Sequence, residues 1–279
     1  MKPRPFDYVR PQTAEEAIAL LGEYGDEARI LAGGQSLLAM LNLRLVEADV
    51  LIDVSRVASL DAIRDLGHAV EIGAAVTQNR LMAWPALQEK LPLLAAALPF
   101  VGHFQTRNKG TVCGSIAHAD PSSELPLVLA ALGGEVVLRS QRGGERVLAA
   151  ADFQRDMLTT ARAADELIAA VRFPVHAGRG VGFREVARRH GDFAIVAVAA
   201  VAEPAAVRLA VAGMAGRPHV RVVHEEGGDG LRAGVRLWAG ELEGYDDLHA
   251  TAAMRRDLFA NLAPLVVAQA RAATGRKER

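Results

Sequence analysis

Apolar positions at 17, 18, 20 and 21 recur at helical spacing behind Thr13, and Gly22 and Gly25 close the run, so a helix capped by the threonine is predicted. A short strand over 28–31 follows. Gly33-Gly34 breaks it, Ser36 is placed to cap a second helix, and Leu37, Leu38, Met40, Leu41 and Leu43 supply that helix with apolar positions. Residues 50–54 read as another strand, ending near Asp53. The unit is strand, glycine turn, helix.

Beyond Leu60 the pattern shifts to short strands, clearest over 70–72, then a helix over 78–84 limited by Pro85 and another over 92–98. Residues 136–138 and 147–148 pair as a hairpin around Arg142-Gly143-Gly144, and a strand over 167–173 is stopped by Pro174. The stretch 174–182 holds three glycines and reads as a linker. After it come strands over 181–187, 194–202 and 207–212, and one or two helices within 246–273. Residues 225–230 read as a loop. The fold class is α+β, in three domains: 1–58, 59–175 and a small β-then-α domain over 176–279.

Of the 279 residues 51% are hydrophobic and 23% charged, which supports a packed core and excludes a disordered chain. With 32 basic against 33 acidic residues there is no electrostatic source for nucleic-acid binding. The longest apolar runs, 194–202 and 262–268, fall far short of the roughly 20 residues that cross a bilayer. No apolar stretch follows the charged start, so the expected location is the cytoplasm. A lone Cys113 cannot hold an iron-sulfur cluster, and the eight histidines show no metal-ligand spacing. No metal site and no catalytic acid/base pair is predicted.

Chemistry concentrates in two glycine-rich stretches. In Ala32-Gly33-Gly34-Gln35-Ser36, paired glycines let backbone approach a ligand, and the following helix turns its N-terminal end toward the same spot. A diphosphate would fit there; so would a plain turn between strand and helix, since neither GxGxxG nor a Walker pattern is present. In Gly110-Thr111-Val112-Cys113-Gly114-Ser115 glycines again accompany hydroxyls, and Asp120 and Glu124 follow in a turn that feeds a helix. Either carboxylate could accept from ligand hydroxyls, or Asp120 could simply cap its turn. Two such loops are best explained by one long anionic ligand bridging them.

AGGQSLL over 32–38, RNKGTVCGSIAHADPSSELP over 107–126 and RRHGDFA over 188–194 closely resemble the FAD-binding medium subunit of molybdenum hydroxylases, the group of aerobic carbon monoxide dehydrogenase and xanthine dehydrogenase. The resemblance runs nearly the whole chain, from Phe6-Asp7-Tyr8 to Met254-Arg255-Arg256. It implies a two-lobed FAD-binding fold of the vanillyl-alcohol-oxidase type with a C-terminal domain beside it. Implied FAD contacts are Arg29, Ile30, Leu31, Ala32, Gly33, Gly34, Gln35, Ser36 and Leu37 in the first motif, and Thr111, Gly114, Ser115 and Glu124 in the second, beside which Asp120 stands as a candidate from its own chemistry. Val101 and Gly102, Ile168 and Arg184 complete the implied set. Implied partners are a small subunit with 2Fe-2S clusters and a large molybdopterin-molybdenum subunit, in a dimer of heterotrimers.

One departure from the family pattern is Cys113, where relatives carry a glycine; a side chain there narrows the approach to the cofactor or shifts a loop torsion. The 188–192 segment reads as a charged turn, and the resemblance sets it near the flavin. Arg255, Arg256 and Arg271 are expected on a solvated or partner-facing surface. The implied function is electron transfer from the iron-sulfur partner through FAD to an external acceptor. Two alternatives stand: a self-contained flavin oxidoreductase acting on a small organic substrate, and an assembly scaffold that has lost FAD.

Overall fold

In the computed structural model, which describes residues 2–176, 178–224 and 227–274 with backbone alone at 227–229, the described strands form sheets of three, five and four members and one two-stranded ribbon. The first sheet is parallel. Asp7–Val9 and Ala28–Leu31 flank Val50–Asp53, and the helix Ala14–Tyr24 makes the crossover between the two outer strands. Thr13 caps that helix by accepting from the Glu16 N–H at 3.1 Å, and Gly25 ends it at φ +52°. Asp7–Val9 is too short and too exposed for its pattern to have been read as a strand.

The second sheet is antiparallel, in the order Ile63–Asp65, Ala69–Gly73, Leu167–Pro174, Glu135–Ser140, Gly144–Ala149. The predicted hairpin forms its edge. Between Ala69–Gly73 and Glu135–Ser140 the chain leaves the sheet through six helices, among them Gln78–Met82, Val112–His118 and Glu124–Leu132. Glu124–Leu132 is buried at eight of its nine residues, so its all-round apolar sequence is that of a central core helix.

The third sheet is an antiparallel meander of Val181–Val186, Val196–Ala202, Val207–Ala212 and His219–Val223. Every residue of Val196–Ala202 is buried. Val196, Val198, Ala200 and Ala202 face Phe259, Ala263 and Val266 of the helix Ala252–Thr274, while Ala197, Ala199 and Val201 join the core that holds Glu124–Leu132. Layers on both faces explain why that strand carries only alanine and valine: a larger side chain would overpack one layer at a cost of ~1–3 kcal/mol.

The structure corrects several expectations. His219–Val223 is a fourth strand, and Gly227–Glu241 is a helix where a loop was expected over 225–230; Glu225 and Glu226 lie outside the described residues, as does Ala177 within the expected linker. Glycines hid that helix, although Val235, Trp238, Ala239 and Leu242 mark a buried face at helical spacing. Arg255 is buried, not solvated, at 1% exposure. It donates to the carbonyls of Ile195, Gly213 (3.0 Å) and Tyr245 (3.1 Å) and to the Asp247 carboxylate (2.6 Å), and its guanidinium sits 4.0 Å over the Tyr245 ring. Arg256 donates to the carbonyls of Leu242 and Glu243, and Arg271 to those of Glu203 and Ala206, so all three arginines anchor the last helix within this chain.

Candidate functional site

The turn after Ala28–Leu31 is held by Gly34 at φ +71°, a conformation that L residues other than glycine rarely adopt. Gly33 is constrained differently. A Cβ on it would overlap the Lys109 carbonyl and stand 2.7 Å from Gly110 Cα, so the two glycine-rich stretches touch backbone to backbone, and only glycine permits it. Ser36 lies in helical conformation and its side chain does not cap the helix Leu37–Asn42, contrary to expectation. That helix is six residues long, so its end carries little of the dipole expected of it.

The second loop is fastened to residues 76–78, just beyond the strand Ala69–Gly73. The Gln78 N–H donates to Gly110 O at 2.8 Å, the Val112 N–H to Val76 O at 3.1 Å, and Thr77 bridges Thr111. Thr111 caps Val112–His118 by accepting from the Gly114 N–H at 3.0 Å, and the Ser115 and Ser123 hydroxyls meet at 3.0 Å. Cys113 falls inside this helix without a positive φ, so the expected torsional shift does not arise; its thiol is turned to the Ile72 carbonyl at 3.4 Å. Burial pushes the thiol far above its ordinary range, which removes any nucleophilic role.

These two loops, the 101–106 segment, the 158–162 segment and the bulged end of Leu167–Pro174 enclose a cavity of about 580 Å³, well within the range of cofactor sites. Fifteen of the eighteen residues singled out from sequence line it: Arg29, Ile30, Ala32, Gly33, Gly34, Gln35, Ser36, Leu37, Val101, Gly102, Thr111, Gly114, Ser115, Glu124 and Ile168. Leu31, Asp120 and Arg184 do not. Leu31 is paired with Asp53 inside the parallel sheet. Asp120 accepts from the Ser122 N–H at 2.8 Å and so serves its own turn. Arg184, itself exposed, is opposite Val198, whose side chain faces the C-terminal helices, and the alternation of the strand puts Arg184 on that same face, away from the cavity.

Charge around the cavity is uneven. Glu124 is 2% exposed, and burial, reinforced by Glu185 and Asp120, raises its carboxyl to about 8. Burial likewise raises Glu185 to about 7. Near neutral pH the Glu124 carboxyl is therefore mostly protonated, while the guanidinium groups of Arg29 and Arg162 are close enough that Arg29 disfavours the charge on Arg162, after the larger effect of burial. Burial also lowers His118, keeping it neutral. The lining is thus net positive. Arg107 pins the opposite wall by donating to Val101 O (2.9 Å) and Gly102 O (2.8 Å).

Arg162 and Gln78 line the cavity without having been singled out from the sequence, whereas the 188–194 segment reaches it as the resemblance implied. Arg162, two residues beyond the ribbon Gln154–Asp156/Thr159–Thr160, donates to the carbonyls of Ala163, Ala164 and Glu166 and lines the cavity. Gln78, at the start of the helix capped by Thr77, is 5% exposed and its Oε1 has no hydrogen-bond partner among the described residues. Gly191 and Phe193 bring the 188–194 segment to the cavity; a Cβ on Gly191 would press on His103 and the Gly102 carbonyl. For Gln78 the local signal was a polar pair, Thr77-Gln78, directly behind an apolar strand; Arg162 had none.

The residues present fit an FAD: a positive lining for a diphosphate, backbone loops in contact, an orphaned amide oxygen, and a volume suited to a dinucleotide held partly in the open. Comparison with known proteins points the same way. The model of the FAD binding domain in molybdopterin dehydrogenase matches residues 4–176. The medium subunit of nicotine 6-hydroxylase from Paenarthrobacter nicotinovorans is 36% identical over 98% of this chain and all of its own length. Caffeine dehydrogenase subunit beta from Pseudomonas sp. (strain CBB1) is 39% identical over 70% of this chain, and the match spans about two thirds (66%) of that subunit. Among solved structures, quinoline 2-oxidoreductase from Pseudomonas putida 86 superposes with a TM-score of 0.92 at 32% identity, covering 98% of this chain and all of the matched one.

Proposed function

Because this chain belongs to the family of FAD binding domains in molybdopterin dehydrogenases, we propose that it is the FAD-carrying medium subunit of a heteromeric molybdenum hydroxylase, receiving electrons from a 2Fe-2S partner and passing them to an external acceptor. The observation that carries this reading is the backbone contact of the two glycine-rich loops along one positively lined cavity. The lobes 1–58 and 59–175, in a vanillyl-alcohol-oxidase-type arrangement, meet at that contact, and 176–279 packs beside them. A large molybdopterin subunit and a small iron-sulfur subunit join it in the cytoplasm as a dimer of heterotrimers.

When bound, the flavin supplies one- and two-electron chemistry. This chain's residues supply its surroundings. Residues 32–36 and 111–115 hold the diphosphate region through backbone, and Arg29 and Arg162 offset its charge, an attraction strengthened by their partial burial. Val101 and Gly102 form a wall fixed by Arg107. Glu124, protonated near neutral pH, offers the cavity a donor O–H instead of a charge that would repel the anion. Electron relay needs no more than this.

The test is purification of the full chain alone and with the chains that copurify with it. Expected are one FAD per chain and a flavin reduced by substrate only when an iron-sulfur partner is present. A colourless chain that takes up no added FAD, or an isolated chain rapidly reduced by an organic substrate, would overturn the proposal.

A further inference from the structure

Among the described residues that line the cavity, Gln78 carries a buried polar atom that the fold leaves unserved. It opens the helix Gln78–Met82 and is 95% buried, yet its Oε1 meets no donor among the described residues. Its backbone is anchored: the N–H is bonded to Gly110 O, and the adjoining Thr77 bridges Thr111. The side chain cannot drift away from that loop. Its Oε1 stands 3.2 Å from where a Gly110 Cβ would be, and Gly110 in turn abuts Gly33, so the amide lies at the seam where the two glycine-rich loops meet. An unpaired amide oxygen in such a place costs about 1–3 kcal/mol, an expense a fold carries where a ligand supplies the missing partner.

Resting on the FAD reading, we propose that the Gln78 carboxamide is a binding residue for that cofactor and holds one of its sugar hydroxyls. A hydroxyl is both donor and acceptor, so it satisfies an amide in either orientation. A phosphate oxygen accepts only, and would leave the oxygen end as orphaned as before.

The test uses the full-length chain, with any chains that copurify, stripped of flavin and titrated with FAD while flavin fluorescence is followed. Gln78→Leu is expected to weaken FAD binding about five- to tenfold, the worth of one net hydrogen bond. Its flavin-free form should melt at the same temperature as wild type or higher, because the substitution removes an unpaired buried oxygen. A merely structural glutamine would move both readouts down together, and that result would overturn the proposal. Gln78→Glu keeps an acceptor for a hydroxyl and should bind FAD more tightly than Gln78→Leu; if it binds more weakly, the contact is to phosphate and the proposal fails. Should Gln78→Leu not fold, Gln78→Met takes its place in the same comparison. Repeating the titration with FAD whose adenosine ribose lacks both hydroxyls locates the contact: an unchanged loss in the variant assigns it to the ribityl chain, a vanished loss to the ribose. Wild type and Gln78→Leu binding FAD equally would end the role of Gln78 alone, whereas a wild type that binds none would end the FAD assignment.

Discussion

Replacing Glu124 by glutamine should make the protein more stable, and only on the alkaline side. Glu124 opens the buried helix Glu124–Leu132 at 2% exposure, and burial first, then the neighbouring carboxylates Glu185 and Asp120, lift its folded-state value from 4.5 to about 8. For a carboxyl raised on folding, the native state binds more protons than the unfolded chain between those two values, so stability falls as pH rises through that window. The full displacement corresponds to on the order of 5 kcal/mol above pH 8, an upper limit, and most of it is lost between pH 5 and 8. The acids with depressed values, such as Glu166 beside Arg146, act with the opposite sign and below the ordinary carboxylate range, and Glu185, raised to about 7, titrates in the same window in wild type and variant alike, so the comparison between the two isolates Glu124. Urea unfolding of the flavin-free wild type and Glu124→Gln at pH 5.5, 7 and 8.5 measures the difference directly. The variant should approach wild type at pH 5.5 and exceed it by several kcal/mol at pH 8.5. Parallel stability profiles across the three pH values would refute the reasoning, because they would mean that Glu124 is solvated or paired in the native state.

Gly33→Ala forces its new methyl against the backbone at Lys109 and Gly110, with no flexible atom to yield, and should cost ~3 kcal/mol by urea unfolding together with a hundredfold or greater loss of FAD affinity. Gly34→Ala meets the movable tip of Leu38 and a left-handed φ, so its cost should stay near ~1–2 kcal/mol; the reverse order of the two variants would contradict the loop contact. Arg255→Lys should destabilise by ~3 kcal/mol or more in the same assay, because one ammonium cannot serve three carbonyls, a carboxylate and the face of Tyr245 together.

The cofactor loops were legible in the sequence because their chemistry is backbone chemistry. Glycines announce themselves locally, and Gly33 and Gly34 are needed for reasons, a close approach and a positive φ, that any reading of the chain can anticipate. The strand Val196–Ala202 was legible for a similar reason, since an unbroken run of alanine and valine has one structural use. What stayed hidden depends on which distant segments meet. Arg255 looks like a surface charge on an amphipathic helix until Ile195, Gly213 and Asp247 close around it. Arg184 sits in a segment that resembles its relatives, yet its parity on the strand Val181–Val186 sends it to the far face, while Glu185, one residue on, bears on Glu124 instead. Arg162 lines the cavity from just beyond a short two-stranded ribbon, 154–160, that has no motif of its own. The charge balance of the site therefore could not be read from either glycine motif. It arises from Arg29 on the strand before the first loop, Arg162 just beyond the ribbon, and a Glu124 carboxyl neutralised by burial with help from Glu185 of the third sheet, three segments that no local pattern connects. If that balance is what draws an anionic dinucleotide into the cavity, affinity for FAD should weaken with rising salt and with pH above 8, where Glu124 ionises, while the loop contact through Gly33 is unaffected by either.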